Sequence, residues 1–238
     1  MIVIDIGNTN IHFTRVQKEH FRKTSKIPSG KASITSIKKI LSKYPNEKIL
    51  AVSVVPKITK MLKRINKNIL IAGENVKIPI KCLYNKKNIG MDRLVGAYAA
   101  KIFFPGARLI LDFGTAITLD VLSKNGAYQG GFMLPGIGST LKVFSNCALL
   151  PKHVEFKKSK KLIPQNTSES ISKGVEEGFS LMINSLIEKY KKKLKIPAAQ
   201  KVIITGGDAS VILPKLNFPR QYEPNLVIKG LIALTGKI

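Results

Sequence analysis

Two short segments of the chain place a carboxylate at the end of an apolar strand and a glycine two residues later. The first holds Asp5 and Gly7, in IVIDIGNTN, and the second holds Asp112 and Gly114, in LILDFGT. A glycine at this place lets the backbone adopt a positive φ angle and turn its N–H groups toward a phosphate. A carboxylate beside a phosphate repels it unless a cation lies between them. The two segments therefore predict a site for a nucleotide phosphate and a metal ion.

A purely structural interpretation of each segment stays open. Asp and Asn side chains at such positions commonly accept hydrogen bonds from the backbone of their own turn. A third glycine turn, Gly206-Gly207-Asp208, follows another apolar segment, VIIT. Three similar turns, each after a strand, favour phosphate binding over three independent hairpin caps.

The segments that must position these turns alternate between short apolar strands and amphipathic helices. Strands are expected at 2–6, 11–16, 20–27, 49–55, 80–84, 107–114, 116–122 and 201–207. Helices are expected after Gly90 and at about 168–194. The Asp-x-Gly turn occupies the same place in two strand–turn–strand units, which indicates an internal duplication. We therefore expect an α/β protein of two similar domains, 1–95 and 96–238, with a cleft between them.

The composition of the chain is strongly basic. Its 40 Lys and Arg residues outnumber its 14 Asp and Glu residues, and its formal net charge is +26 at pH 7. Such a charge invites an anionic partner, including nucleic acid. Specific readout of nucleic acid favours Arg and stacking aromatic residues, whereas Lys supplies most of this charge and Trp is absent. A solvated, lysine-rich surface is therefore favoured, although charge alone does not exclude nucleic acid.

The sequence contains no feature of a membrane or secreted protein. No apolar run reaches the ~18 residues that a membrane helix needs. The first residues, MIVIDIGN, include an acid where a secretory signal peptide is apolar. We therefore expect a cytoplasmic protein with no membrane partner.

The ordered motifs along the chain resemble those of the type III pantothenate kinases, which belong to the actin/Hsp70/sugar-kinase superfamily. In chain order they are DIGNTN (5–10), GMDR (90–93), DFGTAITLD (112–120), GGFMLPGI (130–137), NT (166–167) and ITGGDA (204–209). Each motif alone is weak, but the ordered set is specific and spans nearly the whole chain. The resemblance implies two duplicated actin/ribonuclease H-like domains with a central interdomain cleft, and a dimerisation helix in the second domain.

This resemblance also implies an activity and a set of site residues. The activity is ATP-dependent phosphorylation of pantothenate to 4'-phosphopantothenate, the first step of coenzyme A biosynthesis. The implied ATP-binding residues are Asp5, Ile6, Gly7, Asn8, Thr9, Asn10, Ile11, His12 and Thr115. The implied pantothenate-binding residues are Tyr84, Gly90, Met91, Asp92, Arg93 and Thr167. Within the second set Asp92 is implied to be the catalytic general base, and Arg93 to bind the carboxylate of pantothenate.

The implied cofactors are Mg²⁺ and a monovalent cation, K⁺ or NH₄⁺, in addition to ATP. The resemblance places the monovalent cation at Asp112, and Asp5 is a candidate ligand of Mg²⁺. It further implies a homodimer with the active site at the subunit interface, because Thr167 would reach pantothenate from the neighbouring subunit.

Several of these residues also have a structural interpretation. Asp92 lies where a helix begins, and the macrodipole favours an acid there. Thr167 precedes the long helix and is a candidate for its N-cap. Arg93 is a candidate partner of a surface acid, and Asp120 is expected to be a solvated strand residue. These interpretations stay open beside the functional ones.

The chain departs from the family pattern at two places. His12 stands where Lys is usual, and a neutral imidazole gives a phosphate no fixed positive charge. Tyr84-Asn85-Lys86-Lys87 replaces Tyr-x-Asn-Pro and is one residue short before GMDR. The alternative function is therefore a catalytically weak or inactive relative that regulates or binds nucleic acid through its basic surface. A sugar kinase or an exopolyphosphatase is a third possibility, and the short chain argues against the sugar kinase.

Overall fold

The computed structural model describes residues 1–17, 20–85, 89–144, 156 and 161–236, with only the backbone described at Lys23 and Thr24. These residues form two compact units whose segments alternate along the chain. Unit 1 contains Met1–Gly106, Leu122–Gly130 and Asn225–Ile238, and unit 2 contains Ala107–Val121 and Gly131–Pro224. The domain boundary expected after residue 95 falls inside a helix, Met91–Phe103, that belongs to unit 1.

Unit 1 is built on a five-stranded sheet. Its strands are β1 (Ile2–Ile6), β2 (Asn10–Gln17), β3 (His20–Pro28), β4 (Ile49–Ser53) and β5 (Leu70–Ile71). They lie in the order β3-β2-β1-β4-β5, with β1 antiparallel to β2 and parallel to β4. Successive side chains of a strand point to opposite faces. Ile4 and Ile6 therefore enter one core, while Asp5 faces the other side of the sheet.

Unit 2 is built on a second five-stranded sheet, of which Leu122 and Tyr128–Gly130 belong to unit 1. Its strands are β6 (Leu109–Phe113), β7 (Ala116–Leu122), β8 (Tyr128–Pro135), β9 (Val202–Thr205) and β10 (Arg220–Tyr222). They lie in the order β10-β9-β6-β7-β8, with β6 antiparallel to β7 and parallel to β9.

The α-helices are α1 (Ile34–Leu41), α2 (Pro56–Ile65), α3 (Met91–Phe103), α4 (Ile137–Phe144), α5 (Thr167–Lys193), α6 (Ala209–Ile212) and α7 (Leu226–Ala233).

The helices of unit 1 lie on both faces of its sheet. Ile37 of α1 and Leu62 of α2 are buried in the same core as Ile4, so these helices cover that face. Helices α3 and α7 pack against each other and contact β4, and α7 also contacts β1, so they occupy the opposite face. Gly230 lets these two helices approach, because a Cβ atom there would lie 2.4 Å from the carbonyl oxygen of Val95. This close packing ties the last helix of the chain to unit 1.

The long helix α5 packs its apolar side against the sheet of unit 2. Its buried apolar residues recur with helical spacing and are Val175, Phe179, Ile183 and Ile187. Near the end of the helix, the buried Lys191 ammonium group donates hydrogen bonds to the carbonyl groups of Ala198 (2.7 Å) and Gln200 (2.6 Å). Burial lowers the pKa of this ammonium group. These bonds hold the segment that leads from α5 to β9.

The two sheets share one topology, and this confirms the internal duplication expected from the sequence. The order β8-β7-β6-β9-β10 in unit 2 corresponds to β3-β2-β1-β4-β5 in unit 1. In each sheet the central strand is antiparallel to the strand that follows it in the chain and parallel to its other neighbour. Asp5 and Asp112 occupy the same place, one residue before the end of β1 and of β6.

Most expected strands and helices are present, but the prediction of a strand at 80–84 is wrong. This segment forms a single β-bridge between Cys82 and Tyr128. The Tyr128 amide donates to the carbonyl of Lys81, and the Leu83 amide donates to the carbonyl of Tyr128, both at 2.8 Å. The segment thus forms backbone hydrogen bonds with the first residue of β8 but does not continue as a strand.

Candidate functional site

The first Asp-x-Gly turn joins β1 to β2 and is braced by the residue that follows β3. The Gly7 amide donates to the carbonyl of Asn10 (3.0 Å) and closes the turn. Ser29 donates from its hydroxyl to the carbonyl of Gly7 (2.6 Å) and from its amide to the carbonyl of Thr9 (2.8 Å). Asn8 and Thr9 are exposed. The tip of the turn is therefore the part that a ligand can reach.

The glycines of the two Asp-x-Gly turns do not adopt the positive φ angle that we expect from the sequence. Neither Gly7 nor Gly114 lies in the left-handed region. A Cβ atom at Gly7 would lie 3.4 Å from the Asn10 carbonyl oxygen, and one at Gly114 would lie 3.6 Å from that of Ala116. That expectation is wrong, because the amides of Gly7 and Gly114 donate the hydrogen bonds that close these turns while each glycine keeps a φ angle that other residues can adopt.

Asp5 and His12 lie side by side on the face of the unit 1 sheet that α3 and α7 cover. The two residues are directly opposite in the β1–β2 ladder, and both are half-buried. Ile6 and Ile11, the next pair in the ladder, are each 1% exposed and belong to the core on the other face. The hairpin therefore presents an acid and an imidazole to the helix-covered face near the turn.

The segment from Gly90 to Arg93 begins helix α3. Gly90 is the N-cap residue, and Asp92 lies in the first turn, where its Oδ1 accepts a hydrogen bond from the Arg93 amide (2.8 Å). A Cβ atom at Gly90 would lie 2.4 Å from that Oδ1 atom, so glycine leaves the space that the carboxylate occupies. Met91 packs over Gly73, whose φ angle is +87°. The helix N-terminus places a positive potential at the Asp92 carboxylate.

Strand β4 connects the first turn to the start of α3 within unit 1. The amide of Val54, which follows β4, donates to the carbonyl of Ile6 at the end of β1 (3.1 Å). A side-chain carbon of Val54 lies 3.3 Å from the Cβ position of Gly90. Because β1 and β4 are parallel, their carboxyl ends meet at one edge, where α/β sheets commonly bind ligands. Asp5 and Asp92 thus lie near the same sheet edge, one on a strand and one on a helix.

Tyr128 contacts two of the expected site residues and was missed by the sequence interpretation, because no local motif marks it. Its side chain is 0% exposed. The guanidinium carbon of Arg93 lies 5.9 Å from the centroid of its ring, and the ring of Tyr84 meets it edge-on with centroids 6.4 Å apart. Gly130 has a φ angle of +113°, and a Cβ atom there would lie 2.9 Å from the Tyr84 ring. Of the segment that departs from the family pattern, Lys86–Lys87 lies outside the described residues.

The second Asp-x-Gly turn joins β6 to β7 in unit 2. The Gly114 amide donates to the carbonyl of Ala116 (3.1 Å). The Gly136 amide and the Ser139 hydroxyl donate to the carbonyl of Thr115, at 3.0 Å and 2.7 Å. A Cβ atom at Gly136 would lie 2.2 Å from the carbonyl oxygen of Gly114, so the segment before α4 packs directly on the turn. Thr115 is exposed at the tip.

The glycine turn that follows β9 lies beside Asp112. Gly206 has a φ angle of +95°, and a Cβ atom there would lie 2.4 Å from the backbone nitrogen of Phe113 and 2.5 Å from Asp112 Oδ1. The positive φ angle expected of these glycine turns is thus confirmed here. Asp208 donates from its amide to the carbonyl of Phe113 (3.0 Å), and its Oδ2 accepts from the amide of Gly138 (3.4 Å). The Asp112 carboxylate is therefore bordered by main chain that requires glycine.

Thr167 is the first residue of α5 and is exposed. The N-cap residue is Asn166, whose side-chain oxygen accepts a hydrogen bond from the Glu169 amide (2.9 Å). The interpretation of Thr167 as the cap is therefore wrong, and its hydroxyl is not needed to satisfy the helix N-terminus.

Asp120 is buried, and the expectation of a solvated residue is wrong. Its exposed fraction is 3%, and the Thr118 hydroxyl donates to its Oδ2 atom (3.4 Å). Its neighbours Leu119 and Val121 are also buried, at 0% and 8% exposed. Both faces of β7 are thus covered, so alternate side chains along this strand do not divide into a solvent-exposed face and a buried face.

No group of three or more His, Cys, Asp or Glu side chains converges within the described part of the chain. Asp5 or Asp112 would therefore each hold a cation together with oxygen atoms of a ligand, the main chain or water, as Mg²⁺ sites commonly do. Among the same described residues, the helices are too short or too polar to cross a bilayer.

An open apolar cavity of about 610 Å³ lies between α4 and α5 in unit 2. Its apolar lining includes Phe144, Ile171, Phe179 and Met182. Gly174 and Gly178 of α5 also line the cavity. A Cβ atom placed at either glycine would have nothing within 4 Å, so both positions face open space. Leu181 and Val143, on the same two helices, are 65% and 61% exposed. This face of unit 2 is more apolar than a solvated helix surface needs to be.

The sequence matches one family of proteins along most of its length. The family model described as type III pantothenate kinase matches residues 1–189. A type III pantothenate kinase of Sulfurihydrogenibium sp. is 37% identical over 194 residues, covering 79% of this chain and 76% of that protein. Another, of Methylacidiphilum infernorum, is 32% identical over 241 residues, covering 100% of this chain and 88% of that protein.

Solved structures with a similar fold align with the whole length of the chain. A Campylobacter jejuni protein described as a Baf family transcriptional activator has a TM-score of 0.67 at 24% identity, covering 100% of this chain and 98% of that one. The activator of 2-hydroxyisocaproyl-CoA dehydratase from Clostridium difficile, with bound ADPNP, has a TM-score of 0.58 at 14% identity, covering 100% and 96%. At these identities the likeness shows the fold alone, which is that of duplicated actin-like domains.

Proposed function

The chain belongs to the type III pantothenate kinase family, and we propose that Asp92 is the general base of its reaction. The enzyme transfers the terminal phosphoryl group of ATP to the hydroxyl group of pantothenate, the first step of coenzyme A biosynthesis. The observation that carries the proposal is the position of Asp92 at the N-terminus of α3, near the sheet edge where β1 ends in the Asp5 turn. We place the enzyme in the cytoplasm because its phosphoryl donor is ATP.

On the acceptor side, Asp92 would take the proton of the pantothenate hydroxyl group. The hydroxyl oxygen of pantothenate would then attack the terminal phosphorus of ATP, with ADP as the leaving group. Phosphoryl transfer depends mainly on positioning and charge neutralisation, so a carboxylate within hydrogen-bond reach of the hydroxyl is sufficient. Arg93, which lies over the ring of Tyr128, offers a guanidinium fork to the pantothenate carboxylate. Tyr84 packs against the same ring and would supply an apolar wall for the substrate.

On the nucleotide side, the exposed tip of the first turn would contact the phosphates of ATP. The Gly7 amide is already bonded to Asn10, so Asn8 and Thr9 are the residues of the tip that we assign to this contact. Thr115 is exposed at the equivalent place in unit 2, and we assign it to ATP as well.

The proposed cofactors are Mg²⁺ and a monovalent cation, K⁺ or NH₄⁺. Asp5 would hold Mg²⁺ directly or through water, and the ion would supply positive charge to offset the negative charge of the phosphates. Asp112 would hold the monovalent cation. Its carboxylate lies beside the main chain at Phe113 and Gly206, and carboxylate and carbonyl oxygens are the ligands that hard cations prefer.

An assay of ADP formation by the purified protein tests this function. We expect turnover that requires pantothenate and Mg²⁺, and that K⁺ or NH₄⁺ supports while Na⁺ alone does not. Equal turnover in Na⁺ would contradict the proposed preference for K⁺ or NH₄⁺ and leave the kinase activity in place. A complete absence of turnover at millimolar ATP would contradict the activity for this chain, and binding to duplex DNA that weakens steeply with salt would then support the regulatory alternative.

We further propose that the chain forms a homodimer through the apolar face of α4 and α5. The open cavity, the two glycines of α5 and the exposed Leu181 would be covered by a second copy of the chain. Thr167 lies at the start of the same helix and is exposed, so it would reach pantothenate held by the partner subunit.

Replacing Leu181 with glutamate is expected to dissociate this dimer, because it places a charge in an apolar contact. Light scattering after size exclusion should give twice the chain mass of 26.2 kDa for the wild type and that single mass for Leu181→Glu. The control is Lys189→Glu, which adds the same residue two turns further along the exposed side of α5 and should leave the dimer intact. A monomeric wild type would contradict the proposed interface.

A further inference from the structure

Three ionisable side chains form a row across the sheet of unit 1, close to the first turn. Asp5 on β1 is directly opposite His12 on β2, and His12 is directly opposite Lys26 on β3. Side chains of directly opposite residues in antiparallel strands lie on the same face. The row therefore lies on one face, away from the core that contains the neighbouring Ile11 and Phe13.

The face that carries this row is the one on which α3 and α7 pack. Asp5 and His12 are half-buried, whereas Lys26 is exposed because it lies on the outer strand β3. The proposed general base, Asp92, begins α3 on the same face. A cation at position 26 is thus on the reacting side of the sheet, not on the side that α1 and α2 cover.

The distances in a β-sheet let Lys26 reach the phosphates. Neighbouring strands lie roughly 5 Å apart, and two residues along a strand span roughly 7 Å. Asn10, which ends the first turn, pairs with Pro28, two residues beyond Lys26. The long flexible side chain of lysine can extend along the strand to the tip at Asn8–Thr9, which we assign to the phosphates of ATP.

The charges around this turn call for such a cation. Asp5 repels a phosphate group, and an imidazole such as that of His12 does not carry the permanent positive charge of a lysine ammonium group. Arg15, further along β2, is held by Glu47 through two hydrogen bonds of 3.0 Å and 2.9 Å. We infer that Lys26 binds the phosphates of the nucleotide, one strand away from the turn that positions them. This inference rests on the proposed function and adds a specific nucleotide-binding residue to it.

The test measures the affinity of the protein for a non-hydrolysable ATP analogue with Mg²⁺, by calorimetry and without pantothenate. Loss of a charge-assisted hydrogen bond should raise Kd for Lys26→Gln about tenfold and raise KM for ATP in parallel, while KM for pantothenate stays constant. The matched control is Lys39→Gln, which removes an equal charge from α1 on the other face of the sheet. It should bind the analogue as the wild type does.

A second variant moves the cation by one strand. His12→Lys added to Lys26→Gln returns a positive charge to the same row and should recover most of the lost affinity. Equal Kd values for Lys26→Gln and Lys39→Gln would overturn the inference, even if the wild type phosphorylates pantothenate. If the wild type binds the analogue through Lys26 but produces no ADP with pantothenate, the inference holds and the proposed function fails.

Discussion

Asp92→Asn is expected to lower kcat about 10³-fold while KM for pantothenate changes little, because asparagine keeps the shape of the side chain but cannot accept the hydroxyl proton. The amide oxygen of asparagine can still accept the hydrogen bond that the Arg93 amide donates to Oδ1. The start of α3 and the guanidinium group that we assign to the substrate should therefore stay in place. Initial rates at saturating ATP, with ADP as the product measured, give both constants.

The competing interpretation of Asp92 makes a different prediction. An acid that only stabilises the N-terminus of α3 contributes about 0.3–1 kcal/mol to folding and nothing to the chemical step. Asp92→Asn would then lower the midpoint of thermal unfolding slightly and leave kcat unchanged. Calorimetric binding of pantothenate to the variant separates the two, since intact binding together with lost turnover supports the general base.

Gly206→Ala is expected to destabilise the protein by about 3 kcal/mol, which lowers the unfolding midpoint by about 10 °C for a chain of this size. Alanine at this position is strained by the φ angle of +95°. Its Cβ atom would also meet backbone atoms of Phe113 at 2.4 Å, which no side-chain rotation can relieve. Because Asp112 Oδ1 lies 2.5 Å from the same point, we expect turnover to fall as well.

The neighbouring glycine provides a matched control for this substitution. Gly207 is exposed, its φ angle is not in the left-handed region, and a Cβ atom there would have nothing within 4 Å. Gly207→Ala should therefore change the free energy of unfolding by no more than about 0.5 kcal/mol. Equal unfolding midpoints for the two variants, measured by circular dichroism, would show that the close approach at residue 206 is not needed.

The sequence determined the local elements and the family. Strands β1 and β6 are marked by apolar runs that end in Asp5 and Asp112, and α5 is marked by apolar residues at helical spacing. These patterns are local, because a strand or helix that buries one face must repeat its apolar residues with its own period. The ordered motifs likewise identified the family, which the family comparison confirms.

Sequence reasoning failed where a contact or a burial depends on another segment. The segment 80–84 is apolar enough for a strand, yet it meets only the start of β8 and forms one bridge. Asp120 lies between two apolar residues, as a solvent-exposed residue of a half-buried strand would, yet both faces of β7 are covered. At Gly7 and Gly114 glycine suggests a positive φ angle, but backbone hydrogen bonds close both turns without it.

Only the tertiary structure decided which residues surround the site. Strand pairing placed Lys26 in one row with Asp5, although 21 positions separate them in the chain. The packing of β8 placed Tyr128 under Arg93, and the parallel strand β9 placed Gly206 against Phe113. The physical reason is that periodicity specifies which face a side chain occupies, whereas its neighbours depend on strand order and register, which are set by packing between distant segments.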